Sequence, residues 1–403
     1  MNVYMSRKPI LDRGGNVYGY EILYRGDGAE NSHKITLSDG TSEEIPDAFF
    51  GLDIKTIVGN AKAFINFTND LLKLRAPLYI SPEILVIVIR ESQLADEEIR
   101  GAVREFKERG YIIALDEINR SDSYGKLFSL ADIVKIDMSG PQKSAEEMAN
   151  VCRNSDKLML AKKVESLSLF ENSKKLGCKY MQGYYFMRSA IAAGNSIQPL
   201  PVNLMQVMQL MAQPEPDIKN IVDVMSRDAA MCQRILRLIN SAYFGIANKV
   251  SSINQAILIL GLDYLREWVY LMGMQKITRN DNVEAMKLAL LLAKFCRCLS
   301  ELIPEASGQG ESFYLMGLMS MIVFSGERAL AQALDEFPLA NDIKKGLLRR
   351  GGLYGDVFEM AMLYVDGEWD EFNILSTKYS LSSDEVSDIF VKCMQEIEKL
   401  NMA

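Results

Sequence analysis

Tyr111-Ile112-Ile113-Ala114-Leu115-Asp116-Glu117, a polar loop, and then Ile133-Val134-Lys135-Ile136-Asp137 make up the stretch on which the fold turns. Each end is a short apolar run rich in β-branched residues that closes on charge. A strand buried on both faces reads this way, with its polar groups at the C-terminal tip. In a β/α barrel the chemistry sits at those tips. Two adjacent carboxylates at one tip and a lysine near the next supply donor types that suit a divalent metal and a phosphate. The same residues also read as a local cap and a solvated lysine.

Outward from this stretch, further strand-like segments are expected at Val3–Ser6, Val17–Arg25, Ala63–Phe67, Ile84–Ile89, Leu158–Val164 and Tyr180–Phe186. Helical spacing is expected at Pro46–Val58, Asp96–Arg109, Ala145–Cys152 and Leu167–Leu176, and residues 26–45 read as a loop rich in Gly, Ser and Asp. Strands alternating with helices predict a parallel sheet or barrel. After Phe186 the pattern changes. Pro199 and Pro201 mark an extended linker, and from Leu204 onward only helical segments follow, split at Pro214-Glu215-Pro216, Gly245, Gly261, Gly351-Gly352 and Gly367. The expected organisation is a barrel domain over 1–195 and an all-helical domain over 196–403.

Composition narrows the function. The chain has 403 residues, 48% hydrophobic and 24% charged, which fits packed domains and not disorder. A net charge of −8 argues against nucleic acid as a partner. No apolar run reaches membrane-spanning length and the N-terminus lacks the shape of a secretion signal, so no membrane partner is expected. Six cysteines without regular spacing fit reduced thiols in a cytoplasm. The single histidine, His33, excludes any mechanism that draws two histidines from one chain.

The strand-tip residues, taken in order, resemble the EAL family of cyclic-di-GMP phosphodiesterases. The family signature Glu-Ala-Leu-x-Arg stands here as Glu21-Ile22-Leu23-Tyr24-Arg25. The strand-two asparagine is Asn66, the Asp-Asp pair is Asp116-Glu117, the Lys-Ile-Asp is Lys135-Ile136-Asp137, and the late Gln-Gly-Tyr is Gln182-Gly183-Tyr184. The resemblance implies a (β/α)8-type TIM-like barrel with a modified strand order. It also implies hydrolysis of one phosphodiester bond by two Mg²⁺ or Mn²⁺ ions around Glu21, Asn66, Asp116, Glu117 and Lys135. Leu23, Arg25 and Gln182 would contact the nucleotide; arginine and amide side chains suit phosphate and guanine.

The departures from the pattern matter more. Where the family has a metal-binding glutamate on strand three, this chain has Val88. The family's Glu-Gly-Val-Glu is Lys162-Lys163-Val164-Glu165, so an ammonium replaces a metal-linked carboxylate at Lys162, and the glycine-containing loop after the Asp-Asp pair is Glu117-Ile118-Asn119-Arg120-Ser121. Repulsion between an ammonium and a divalent cation in a partly buried pocket should outweigh the remaining ligation. No metal and no cofactor are therefore expected, Mg²⁺ or Mn²⁺ entering only with residual hydrolysis. Lys162 is expected to stand in for the metals, its flexible stem reaching both Glu21 and Asp116.

Residues about 199–275 resemble the HDOD domain, a helical relative of the His-Asp phosphohydrolases without their metal residues. The match runs through Ser226-Arg227-Asp228, Leu236 to Gly245, Ser251 to Ile257 and Leu260 to Arg266. Ser252 is expected to cap a helix, Asn240 and Arg227 to bond helix ends, and two apolar stripes to form, Leu236, Ile239, Ala242 with Tyr243, and Leu258, Gly261, Leu262 with Leu265. The methionines within Met205–Met211 and Met316–Met321 read as core and as an adaptable partner surface. The combined expectation is a catalytically inactive EAL–HDOD signalling or scaffold protein, with protein partners on the HDOD domain and a place in cyclic-di-GMP signalling. A cyclic-di-GMP sensor without hydrolysis and a weak phosphodiesterase are the alternatives. Pairing of barrels into a homodimer would use the region after the Asp-Asp motif, where this chain departs from the family.

Overall fold

The structure, a computed structural model, describes residues 4–25, 54–118, 128–183, 185, 201–211, 213, 215–241, 244, 246, 249–278, 283–320, 330, 334, 339–349 and 351–399. The expected loop 26–45 with His33, the residues Asn119–Ser121, Tyr184, Pro199 and Gly245 lie outside these, as does most of the expected helix Pro46–Val58.

Eight strands close into a barrel in sequence order. β1 (Tyr4–Asp12) and β2 (Val17–Arg25) form an antiparallel hairpin. Its turn is set by Asp12 Oδ1, which accepts from the backbone N–H of Gly14 and Asn16 at 2.8 and 2.9 Å. β3 (Lys62–Asn66), β4 (Leu85–Arg90), β5 (Ile112–Asp116), β6 (Ile133–Asp137), β7 (Leu158–Lys162) and β8 (Tyr180–Met181) follow in parallel, and β8 closes antiparallel on β1. The modified barrel is thus present, its irregularity being the reversed β1. β1 outruns the expected Val3–Ser6 because pairing with β2 carries it through the polar Arg7-Lys8-Pro9. β8 is shorter than expected. At Gly183, φ is +153° and a Cβ would lie 2.3 Å from the Val164 carbonyl oxygen, so the chain leaves the sheet where only glycine fits.

The barrel interior is filled by Ile10, Phe64, Val86, Val88, Ala114, Ile133, Leu160 and Tyr180. Helices α1 (Ile54–Val58), α2 (Asn69–Lys73), α3 (Glu97–Glu108), α4 (Gln142–Asn154) and α5 (Leu167–Leu176) accompany the parallel strands. α3 shows why they form: Asp96 caps its N-terminus through the Glu98 N–H, and Ile99, Ala102, Val103 and Phe106 make one buried stripe. Burying Phe106 alone contributes roughly 1.5–3 kcal/mol.

From residue 202 onward the described residues hold helices and no strand: α6 (Val202–Met211), α7 (Ile218–Ser226), α8 (Ala229–Ile239), α9 (Ile253–Leu260), α10 (Leu262–Thr278), α11 (Val283–Glu301), α12 (Gly310–Leu318), α13 (Asn341–Leu347), α14 (Gly352–Asp366), α15 (Trp369–Thr377) and α16 (Ser383–Lys399). No helix among the described residues is long and apolar enough to cross a membrane.

Two compact units result, one of residues 1–186 with 360–398, the other of 187–359 with 399–403. This division differs from 1–195 and 196–403 in giving residues 360–398 to the barrel. The cause is visible at β1. The C-terminal segment packs on the stretch of β1 that runs past the barrel mouth, on the face that Ile10 presents to the interior. Tyr4 stacks on Trp369 with centroids 5.7 Å apart and meets Tyr364 and Phe372 edge-on. Its hydroxyl bonds Asn373 Oδ1 at 2.6 Å and also Ser383 Oγ. Arg7, on the opposite face of β1, pairs with Glu398.

In the helical unit, Ser252 accepts from the Gln255 N–H as expected. Asn240 closes α8 and bonds Val250 in both directions, Nδ2 to O and N to Oδ1, each at 2.8 Å, so its role is to pin a loop. Both expected stripes need correction. Gly261 separates α9 from α10, and Leu258 is 70% exposed while Ile253, Ala256 and Ile257 face inward. On α8 the buried stripe is Met231, Ile235 and Ile239, with Leu236 only partly covered, while Ala242 and Tyr243 lie outside the described residues. Met208, Met211, Met316 and Met319 are all buried, hence core.

Candidate functional site

Strand alternation builds the site. On each of five strands an interior apolar residue is followed two positions later by a polar one: Phe64 by Asn66, Ala114 by Asp116, Ile133 by Lys135, Leu160 by Lys162, Tyr180 by Gln182. Glu21 reaches the same layer from β2. Lys135 Nζ sits 2.6 Å from Glu21 Oε1 and 2.7 Å from Asp116 Oδ2, bridging the two carboxylates. Lys162 Nζ lies 2.6 Å from Asp116 Oδ1. Gln182 Nε2 donates to Glu21 Oε2 at 2.9 Å, Asn66 Nδ2 to Glu21 Oε1 at 3.2 Å, and the Glu117 N–H to Asp116 Oδ1 at 2.7 Å.

The electrostatics follow from these contacts. Burial pushes the Glu21 carboxyl up, and Asp116 beside it does the same, but Lys135 and Gln182 leave it below its ordinary value. Asp116 also resists burial. The Lys135 and then the Lys162 ammonium hold it well below the usual carboxylate range. Lys135 stays charged despite burial because Glu21 and Asp116 face it.

The lysine that joins both carboxylates is therefore Lys135, not Lys162, which reaches Asp116 alone. Lys135 rises from the middle of the adjacent strand, whereas Lys162 stands at the end of β7. Glu117 does not join the cluster: its backbone turns at φ +51° and its exposed side chain lies 3.5 Å from Arg90. Val88 is buried in the interior, in register with Asn66 and Ala114. The barrel's stagger brings Arg90, two residues further on β4, into register with Asp116. Arg90 was missed in sequence; counting by twos from Val88 would have found it. Leu23 is buried on the rim, and Gln182 is held by Glu21. The Arg25 side chain lies outside the described residues. Among the described residues, no three His, Cys, Asp or Glu side chains converge as metal ligands would.

A closed barrel with a reversed first strand and a Glu, Asn, Asp and Lys rim defines an EAL-type barrel. Residues 58–189 match the EAL domain model and residues 197–338 the HDOD domain model; the chain is an EAL–HDOD two-domain protein. The EAL match begins after Glu21-Ile22-Leu23, so that signature rests on its geometry, and residues 360–398 lie beyond both matches. The chain is 27% identical to an uncharacterized Bacillus subtilis protein, YuxH, over 98% of each chain. It is 29% identical to the Vibrio cholerae cyclic di-GMP phosphodiesterase CdgJ, over 91% of this chain and 85% of that one. Among solved structures it is similar to an EAL domain protein from Listeria monocytogenes, at 20% identity and TM-score 0.34 over 46% of this chain and 87% of that one. The PaMucR phosphodiesterase in complex with c-di-GMP gives 17% and 0.33 over 45% and 90%.

Proposed function

We propose that this protein is a catalytically inactive EAL–HDOD protein that acts in cyclic-di-GMP signalling through protein partners, its barrel mouth neutralised by its own lysines. The relative named as a cyclic di-GMP phosphodiesterase supports the signalling assignment. One observation carries the loss of catalysis: all four carboxylate oxygens of Glu21 and Asp116 are already bonded, three of them to Lys135 or Lys162. A two-metal centre needs several carboxylates to offset about four positive charges and to activate a water. β4 brings Val88 and Arg90 to this layer and β7 brings Lys162, so neither strand adds a negative charge there. This donor set does not fit two divalent ions. Incubated with cyclic di-GMP and Mg²⁺ or Mn²⁺, the full chain should turn over below about 0.1 s⁻¹. Linear product accumulating faster would overturn the reading.

The Lys162 position gives a second check. Lys162→Glu adds a third carboxylate and removes a cation, so the variant should melt lower than wild type in EDTA. It should also be raised by Mn²⁺, by about 2.7 kcal/mol at a hundred times its dissociation constant. Coincident melting curves with and without Mn²⁺ for both proteins would mean that Lys162 does not stand in for a metal.

A second reading, nucleotide binding without hydrolysis, is favoured by the survival of Leu23 on β2 and Gln182 beyond β8, which flank β1 on one arc of the mouth.

A further inference from the structure

We propose that the turn Asp366-Gly367-Glu368 is a built-in cover on the nucleotide rim of the barrel, and that cyclic di-GMP reaches Leu23 only when this turn moves away. The proposal rests on the nucleotide-binding reading above.

Four observations place the turn there. Gly367 has φ +71°, and a Cβ on it would stand 2.8 Å from Leu23 Cδ1, so the turn's backbone lies directly on Leu23. Ser6, opposite Leu23 in the hairpin register, donates its hydroxyl to the Val365 carbonyl at 2.6 Å. Tyr364 and Trp369, on either side of the turn, both pack on Tyr4. Asp366 interacts electrostatically with Lys8, which stands opposite Glu21 in the hairpin register, and with Glu165 just past β7. The turn's contacts therefore lie on the β1–β2 hairpin, at Leu23 and Ser6.

The turn is also held under tension. Asp366 Oδ1 is buried without a hydrogen-bond partner among the described residues. Burial first, then Glu368 and Glu165, push its carboxyl up to about 6 against the pull of Lys8. A buried acceptor that would bond water once released favours opening.

If only the open form binds, the apparent dissociation constant is the intrinsic one divided by the open fraction. Gly367→Ala adds a methyl that meets Leu23 Cδ1 only in the closed form, while the left-handed cap that Gly367 gives the preceding helix is local and common to both forms. The test is calorimetric titration of cyclic di-GMP, without divalent ions, into the full-length wild type and Gly367→Ala, with hydrogen exchange followed over residues 360–373. Binding at least about tenfold tighter in the variant is expected, together with loss of amide protection at residues 365–373 when nucleotide binds the wild type. Equal affinities with a demonstrably opened variant would overturn the cover and leave the nucleotide reading standing. No binding to either protein, with the variant's turn open, would overturn both. Should Gly367→Ala misfold or stay closed, wild-type exchange decides: protection over 365–373 that holds or rises on nucleotide binding overturns the cover.

Discussion

Lys135→Met will destabilise the barrel by about 3–5 kcal/mol, the usual cost of removing one partner from a buried ion pair. Lys135 is almost wholly buried and is, among the described residues, the one group that touches both Glu21 and Asp116. Without it, the two carboxylates keep one lysine contact among the described residues, that of Lys162 with Asp116. One of them must take up a proton, so the pH response should invert as well. In the wild type both carboxyls titrate below their unfolded values. Their contribution is complete above pH about 4 and is lost as pH falls through the folded values. Lys135 titrates above its unfolded value, so its contribution is complete below pH about 10 and is lost only on further rise. In the variant a carboxyl titrates above its unfolded value, and stability should fall as pH rises from about 4 towards neutrality. Urea denaturation at pH 5 and pH 7 measures both effects. A loss under about 1 kcal/mol with an unchanged pH slope would show that Lys135 is not what holds the carboxylates together.

Tyr4→Ala should cost a similar amount, about 3–5 kcal/mol, as large aromatic truncations in packed cores do. Tyr4 is buried against Tyr364, Trp369 and Phe372. Tyr4→Phe keeps the stacking and should cost only about 1 kcal/mol for the lost hydroxyl bonds. The alanine variant should also expose residues 360–398 to limited proteolysis while the helices of residues 202–318 stay protected. If proteolysis and denaturation of Tyr4→Ala match the wild type, the C-terminal helices are not an integral layer of the barrel unit.

Much of this architecture was legible in local sequence because it is written in short-range patterns. Buried parallel strands announce themselves by apolar runs of five or six residues, and their tip residues fall in order from Glu21 to Gln182. Side-chain alternation then determined that Asn66, Asp116, Lys135 and Lys162 face one mouth, since a strand points residues i and i+2 to the same side. The helical character of the second half and the single histidine, His33, were equally plain.

Tertiary structure alone decided the rest. Alternation says which way a lysine points but not what it reaches across a barrel, so only closure of the strands made Lys135 the bridge and left Lys162 to Asp116. Counting by twos along β4 from Val88 reaches Arg90, but only the stagger between β4 and β5 sets it level with Asp116. Leu258 looked like core by its spacing, but its helix turns Ile253, Ala256 and Ile257 inward and leaves Leu258 to solvent. The helices after Met360 read as a continuation of the helical domain. They join the barrel because Tyr4 and Ser6 on β1 meet Trp369 and Val365 there, and contacts between residues so distant along the chain leave no periodic signal in either segment.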